Sequence, residues 1–560
     1  MPLTEDRTAG FGLPRPRPRA PGDVPPGSGL RPGAARGGRR LLLGAAGLAV
    51  LGAVLVRVSL RVGMDADAAN KALQGWDLLH GHLLLGDWIT GDATFYTLES
   101  PLFALVEAVT GLGPAAAHVV PALIYVLLLA VVGRLGAGAA TGWAARLRAT
   151  AGAAVLCLPL AAPYGVGLLL EQPDHIGTSL YPLAAFALIE RSLRGRMRPW
   201  AAAAGVFVLC SLGILGDDTV TYVAVPSIVL VCGARAVATR RWFGSDAGFA
   251  LAAVGAVPAE RLLRLAMHAL DSYWMTRPAT EIAPPRLWAE HVARTADAVA
   301  ALFGAAHDAS PLCAALGAGA LAAAAFGFVR ALWFARRPRT ADTLESLAAV
   351  GIVASLAVYT LSTGSTPVPA HEIAMVLPLG ALLAARAVCP AWTWWPAGAR
   401  RMCALLAAAA LAAVAGSAVR PDSGPIPTAP ARSLAAWLAA HGLREGIAGY
   451  FDASTLTVDS GGRVEVRAVV PARGRLAMYA WETRTDWYDP TRHDASFAVA
   501  YDERTSVPED ELDRITTSAY EAVLGRPTAL YRVDGRSVLV YSMNLYRHVA
   551  VRLPVLRKRE

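Results

Sequence analysis

Long apolar runs separated by short polar stretches occupy the chain from residue 41 to residue 418. A run of about twenty apolar residues reaches across roughly 30 Å of hydrocarbon. Runs near 41–60, 115–134, 149–169, 179–190, 200–216, 219–237, 248–266, 311–334, 345–362, 372–389 and 401–418 predict about eleven spans. Two of these depart from the type: 179–190 is short, and 248–266 contains Glu260, Arg261 and Arg264. Between the first two runs, "TLESPLFALVEAVTGLG" is short and carries Glu99 and Glu107. That predicts a helix lying on or dipping into the outer face rather than a span. After "RPDSGPIPTAPARS" the pattern changes. "ARSLAAWLAAHGL" and "PEDELDRITTSAYEAVL" have helical spacing, while "GRVEVRAVV", "RLAMYAW" and "SFAVAYD" read as strands. Asp534-Gly535 between two apolar runs predicts a hairpin. The expected domains are therefore a basic irregular tail (1–40), a multi-span region (41–419) and a small α/β domain (420–560).

Composition supports this class. Of the 560 residues, 55% are hydrophobic and 17% charged, and the mean hydropathy is +0.41. That excludes an ordinary soluble domain and fits a polytopic α-helical membrane protein. All six cysteines fall in or beside apolar runs, so no disulfide framework is expected. The net charge of +9 reflects arginine in short loops, and no nucleic-acid partner is inferred from it.

Arginine also sets the sidedness. A basic tail before the first run places the N-terminus in the cytoplasm and residues 61–97 outside, as the first external loop. Loops 134–148, 190–200, 235–243, 335–343 and 386–401 then fall inside, and all are arginine-rich. "EQPDHIGTS", "GDDT" and "STGSTPVPAHE" fall outside without Lys or Arg, and the longer loop 271–309 joins them. This predicts a multi-pass protein of the cell membrane with an extracytoplasmic C-terminal domain.

Unusual polar residues collect at the external ends of the spans. They include Asp65, Asp67, Asp77, Glu99, Asp174, His175, Asp217, Asp218, His371 and Glu372. Ionisable groups at this depth more often line a polar cavity than face lipid. In "GMDADAANKALQGWDLLHGHLLLGDW" the acids precede an amphipathic helix, with Trp76 and Trp88 placed to sit at an interface. Helix-end amides there favour ionised carboxylates, and capping by Asp67 is a structural alternative to chemistry.

An apolar span after a basic tail, then an external loop opening with Asp-X-Asp and entering a juxtamembrane helix, resembles the GT-C superfamily of membrane glycosyltransferases. The likeness is to the protein-mannosyltransferase and aminoarabinose-transferase type. "DAANKALQGWDLLHGHLLLGDW…FYTLESP", "PDHIGT" and "HEIAMVLPLGALLAAR" look like a group of actinobacterial multi-span proteins treated as glycosyltransferases. The resemblance implies transfer of a sugar, with inversion, from a polyprenyl-phosphate donor on the extracytoplasmic face. The acceptor would be a cell-envelope glycan, lipid or protein. An acid of the first external loop acts as base, which by position is Asp67 first and Asp65 second. The leaving phosphate needs positive charge. Candidates are Arg261, Arg264, Lys71, His175 and His371, or a divalent metal held by Asp65, Asp67 or Asp174. Glu99, Asp174, Asp217 and Asp218 complete the candidate substrate-binding set. The rival class is a transporter, flippase or scaffold for lipid-linked glycans. Transporters carry repeats and midplane polar groups, and neither is evident here.

Overall fold

Each apolar run that lies among the described residues folds as helix, and proline and glycine set many of the ends. The computed structural model describes residues 32–171, 175–276, 281–305, 309–337, 341–363, 370–387, 429–472, 474–501 and 515–551, with Ala412 and Gly416. The predicted span 401–418 lies almost wholly outside these residues, as do Asp174 and residues 1–31 of the basic tail. Residues to Val50 form one unit and Leu51–Glu560 a second.

The helix α1 (Pro32–Ser59) starts before residue 41, so the last part of the tail expected to be irregular is helical. Proline at its first position suits a helix start, where a missing N–H is harmless. Next come α2 (Ala66–Leu79), β1 (Trp88–Thr90), α3 (Glu99–Thr110), α4 (Pro114–Ala137) and α5 (Gly142–Cys157). Beyond them lie α6 (Leu180–Leu193), α7 (Pro199–Gly216), α8 (Thr219–Thr239) and α9 (Ser245–His268). After the two-residue strand β2 (Trp274–Met275) come α10 (Trp288–Leu302), α11 (Pro311–Ala335), α12 (Thr343–Leu361) and α13 (Val376–Ala387).

Among the described residues six helices are long and apolar enough to cross a membrane: Pro114–Ala137, Gly142–Ala161, Pro199–Gly216, Thr219–Thr239, Pro311–Ala335 and Thr343–Leu361. The chain is a membrane protein. The expected run 149–169 is not one regular helix: α5 ends at Cys157, a tighter 3-10 turn carries it to Ala161, and Pro163 begins a separate short turn. Proline has no N–H for the helix ladder and clashes with the preceding turn. At 12 residues, or about 18 Å, α3 is too short to span. It packs on α2 through Gly75, where the missing side chain leaves room for the Glu107 carboxyl. Burial pushes Glu107 up to about 9, so it sits there protonated. The stretch 271–309, read as an external loop, contains α10, which buries His291 and Thr295.

The C-terminal region folds as expected for an α/β domain. Its helices are α14 (Ala429–Ala440), α15 (Tyr450–Asp459) and α16 (Thr517–Leu524). Its strands are β3 (Glu445–Ala448), β4 (Glu465–Ala472), β5 (Arg475–Met478), β6 (Thr483–Arg484), β7 (Phe497–Tyr501), β8 (Ala529–Val533), β9 (Arg536–Val540) and β10 (Val549–Ala550). Seven strands make one mixed sheet in the order β10-β5-β4-β3-β7-β9-β8. Asp534 and Gly535, at φ 49° and 77°, close the β8–β9 hairpin, as their left-handed preference dictates. The second half of "PEDELDRITTSAYEAVL" is α16, and its first half lies outside the described residues.

Two junctions organise the molecule. In the first, β1 from the first loop pairs with β2 and with β6 of the C-terminal domain, forming a three-stranded sheet. Segments assigned to one side by arginine counting thus meet. In the second, Arg386 on α13 is 3% exposed and donates to Leu135 O at 3.0 Å, Asp342 Oδ1 at 2.6 Å and Glu190 Oε1 at 2.7 Å. These three partners come from or border loops assigned to the opposite side. Arg386→Met is expected to leave Asp342 without its arginine and Glu190 with Arg194 alone of its two described arginine partners, and to destabilise the fold by about 3 kcal/mol. Thermal unfolding in detergent reads this as a lower midpoint; an unchanged midpoint would show that the cluster does not hold the helix ends together.

Candidate active site

Asp65 and Asp67 are two residues apart and have different jobs. Asp65 is the N-cap of α2: its Oδ1 accepts from Ala68 N at 2.8 Å, satisfying an orphan amide of the first turn. Asp67 lies inside the first turn, where the helix end favours a carboxylate. Its Oδ1 accepts the Tyr450 hydroxyl. Tyr450 begins α15, so the C-terminal domain reaches into the first loop at this point. Burial raises the Asp67 carboxyl above its ordinary range; Tyr450 and Lys71 oppose that rise, while Glu482 and Asp92 add to it.

Beneath Asp67 lies a buried ion pair. Lys71 Nζ donates to Glu482 Oε1 at 2.9 Å, with side chains 2% and 4% exposed. Glu482 also accepts Gly91 N at 2.9 Å and the Gln74 amide. The Lys71 ammonium stands 5.1 Å from the centre of the Phe95 ring. On its other side Phe95 meets His175 edge-on at 5.4 Å. Phe95 (φ 51°), His175 (φ 56°) and Glu482 (φ 47°) all take a left-handed backbone. Such geometry costs about 1–2 kcal/mol each for residues with a Cβ and tends to collect at functional sites.

His175 opens a second cluster. Its Nδ1 lies 2.8 Å from Asp217 Oδ2, at the end of α7. Burial alone would raise Asp217, but His175 and the Thr219 N–H and hydroxyl hold its carboxyl below the usual range. The other ring nitrogen, Nε2, is 3.8 Å from Glu372, and His371 stacks on His175 with ring centres 5.7 Å apart. One donor atom from each of His175, His371 and Glu372 falls within 4.8 Å of the others. Burial, with the neighbouring His175, pushes His371 down to about 3, so it is the neutral imidazole that metals require. A carboxylate behind one histidine is the usual support of a metal-bound ring. This donor set fits a divalent transition ion.

The clusters adjoin through Asp92, whose charge raises both Asp67 and Glu372. The structure therefore brings together Asp67, His175, Asp217 and His371 from the residues singled out in the sequence. Glu99 is buried at the start of α3, against Gly177. Asp218 precedes α8 and is partly buried. Arg264 is held by Glu260 at 2.6 Å and touches Met275, while Arg261 is exposed on α9. Of the acids considered for a metal, Asp65 caps α2 and Asp67 accepts the Tyr450 hydroxyl, while the described donor atoms that come together are those of His175, His371 and Glu372. Asp174 lies outside the described residues.

Some expected surface roles are reversed. Trp88, expected at an interface, is fully buried; its indole N–H donates to Asp77 Oδ2 at 2.7 Å, and its ring packs on Trp487. Asp77 also pairs with Arg484 at 2.8 Å, so it fastens the C-terminal domain. Trp487 itself lies under Arg467, 3.8 Å from its ring centre, and Tyr488 is buried. Both belong to domain packing. Tyr450, Asn70, Ser454 and Glu482 were not visible as site residues, since no local spacing marks them.

No protein-family model matches the chain, and comparison with curated proteins gives no match. Solved structures do match. ArnT from Cupriavidus metallidurans in the apo state is 14% identical with a TM-score of 0.53, covering 92% of this chain and 99% of that one. The same protein bound to undecaprenyl phosphate is 13% identical with a TM-score of 0.52, covering 89% and 97%. The oligosaccharyltransferase AglB from Archaeoglobus fulgidus, in complex with an inhibitory peptide and a dolichol-phosphate, is 12% identical with a TM-score of 0.46, covering 81% and 68%. At such identity the likeness is one of fold: the chain shares the fold of ArnT over most of both chains.

Proposed function

We propose that the protein transfers a sugar, with inversion, from a polyprenyl-phosphate donor to an acceptor hydroxyl of a cell-envelope glycan, lipid or protein. Asp67 takes the proton from the acceptor oxygen as that oxygen attacks the anomeric carbon. The sugar–phosphate bond breaks and polyprenyl phosphate leaves with its electron pair. The observation that carries this reading is a half-buried carboxylate in the first turn of α2, just past the first helix, beside a cluster that fits a cation. Support comes also from the shared fold with ArnT, whose structure holds undecaprenyl phosphate. Face and membrane are assigned by the arginine count: the first loop and the C-terminal domain lie outside the cell membrane.

His175, His371 and Glu372 would hold a divalent ion, with Asp217 fixing the His175 ring. When bound, the ion supplies positive charge toward the leaving phosphate, which the paired Lys71 and Arg264 are poorly placed to give. Purified protein is expected to carry about one equivalent of a transition ion. Asp217→Asn should weaken its retention about 10- to 100-fold, and His371→Ala should lose it, as mass spectrometry of the metal content reads. Equal metal in wild type and His371→Ala removes His371 from the set.

Membranes bearing the chain, incubated with radiolabelled polyprenyl-phosphate sugars, test the function as a whole. Label is expected to move to an acceptor. If it moves from none of the donors, the transferase reading fails in favour of a transporter or scaffold.

A further inference from the structure

Three side chains connect α15 to Asp67 in an order that fixes the direction of each proton. Ser454 Oγ donates to Asn70 Oδ1 at 2.6 Å. That sets the amide so that Asn70 Nδ2 faces Tyr450 and donates to its hydroxyl oxygen at 3.2 Å. With its oxygen accepting from Asn70, the Tyr450 O–H is directed at Asp67 Oδ1. A flipped amide would turn its carbonyl to Tyr450, draw the phenolic proton away and leave the carboxylate without its donor. Asn70 and Ser454 are buried, so water does not compete for these bonds. The Tyr450 ring is clamped by Tyr479 at 4.9 Å and Phe451 at 5.5 Å.

We propose that Tyr450 is a positioning residue for sugar transfer, a phenol that the C-terminal domain inserts against α2 to hold Asp67 aimed and charged. This rests on the reading of Asp67 as the base. It makes the C-terminal domain part of the active site. The membrane half supplies the acid, and the domain supplies the donor that orients it.

The charged groups around Asp67 define what removing the phenol does. Lys71 on α2 favours the carboxylate, while Glu482 before β6 and Asp92 after β1 disfavour it. Asp65, at the start of α2, acts on Tyr450. Burial and the neighbouring carboxylates also hold the Tyr450 phenol well above its ordinary range, so it stays a donor. Among the described residues, Tyr450 donates a hydrogen bond to Asp67. Without it the carboxyl titrates higher, and the base is lost at a higher pH.

The test is the pH profile of label transfer by full-length protein. Tyr450→Phe keeps the ring and its packing. Its acid limb is expected to move up by about one pH unit or more, with a smaller loss of rate above the limb than below it. Ser454→Ala, a smaller change that releases the amide, is expected to shift the limb the same way by less. An unmoved limb in both variants, or a loss equal at every pH, overturns the proposal by making Tyr450 merely structural. If Asp67→Asn keeps wild-type transfer, the base assignment itself has failed. A dead Asp67→Asn beside an unshifted Tyr450→Phe leaves the base standing and removes only the phenol's role.

Discussion

Asp67→Asn is expected to abolish label transfer while the protein still inserts and folds. The substitution is isosteric, and the new carboxamide oxygen still accepts the Tyr450 hydroxyl, so the α2–α15 contact survives. What disappears is an oxygen basic enough to take the acceptor's proton. General-base catalysis is worth about 10²–10⁴-fold, which places the residual rate near the background of a membrane assay. Asp65→Asn is the matched control. Asparagine caps helices about as well as aspartate, so the Ala68 amide stays satisfied and transfer stays close to wild type. The reverse outcome, a dead Asp65→Asn and an active Asp67→Asn, would exchange the two assignments. Transfer, melting temperature and detergent-extracted yield, measured on the same preparations, separate lost chemistry from lost folding.

Glu482→Ala is expected to cost about 3–5 kcal/mol and to loosen the C-terminal domain from α2. Three donors converge on that carboxylate: the Lys71 ammonium, the Gln74 amide and Gly91 N. Removing it leaves an ammonium that is almost wholly buried with its carboxylate gone. The left-handed backbone at Glu482 shows how closely the chain is bent to deliver this one side chain. Thermal unfolding and limited proteolysis between residues 420 and 450 read the loss. Adding Lys71→Met to the same chain removes the stranded charge and should recover much of the stability, because an apolar replacement of a buried pair is often neutral. If Glu482→Ala melts like wild type, the pair does not secure the domain. A double variant no better than the single would place the cost in the lost Gln74 and Gly91 bonds instead.

The same residues show how much was readable from sequence. Apolar run length predicted the helices because a bilayer admits few other solutions, and α4, α7, α8, α11 and α12 sit where the runs are. Arginine counting grouped loops 134–148, 190–200, 335–343 and 386–401, and Arg386 draws residues at their edges to one point. The Asp534-Gly535 turn came from the backbone preferences of two residues. Failures came where neighbours distant in sequence outvoted local pattern. Trp88 looks interfacial by composition, yet Asp77 and Trp487 bury it.

By itself, then, the sequence determined a chain of membrane helices with an α/β domain at its end, and an acid pair at the head of α2. Hydrophobic period and charge bias are local quantities, and local quantities suffice for that. Tertiary structure decided the different surroundings of the two acids. Asp65 satisfies an amide three residues on, whereas Asp67 receives a hydroxyl from a residue 383 positions away. It also gathered His175, Asp217, His371 and Glu372 from three separate span ends. A hydrogen bond or a metal-like donor set depends on distances in space, and nothing in the spacing of these residues along the chain encodes those distances.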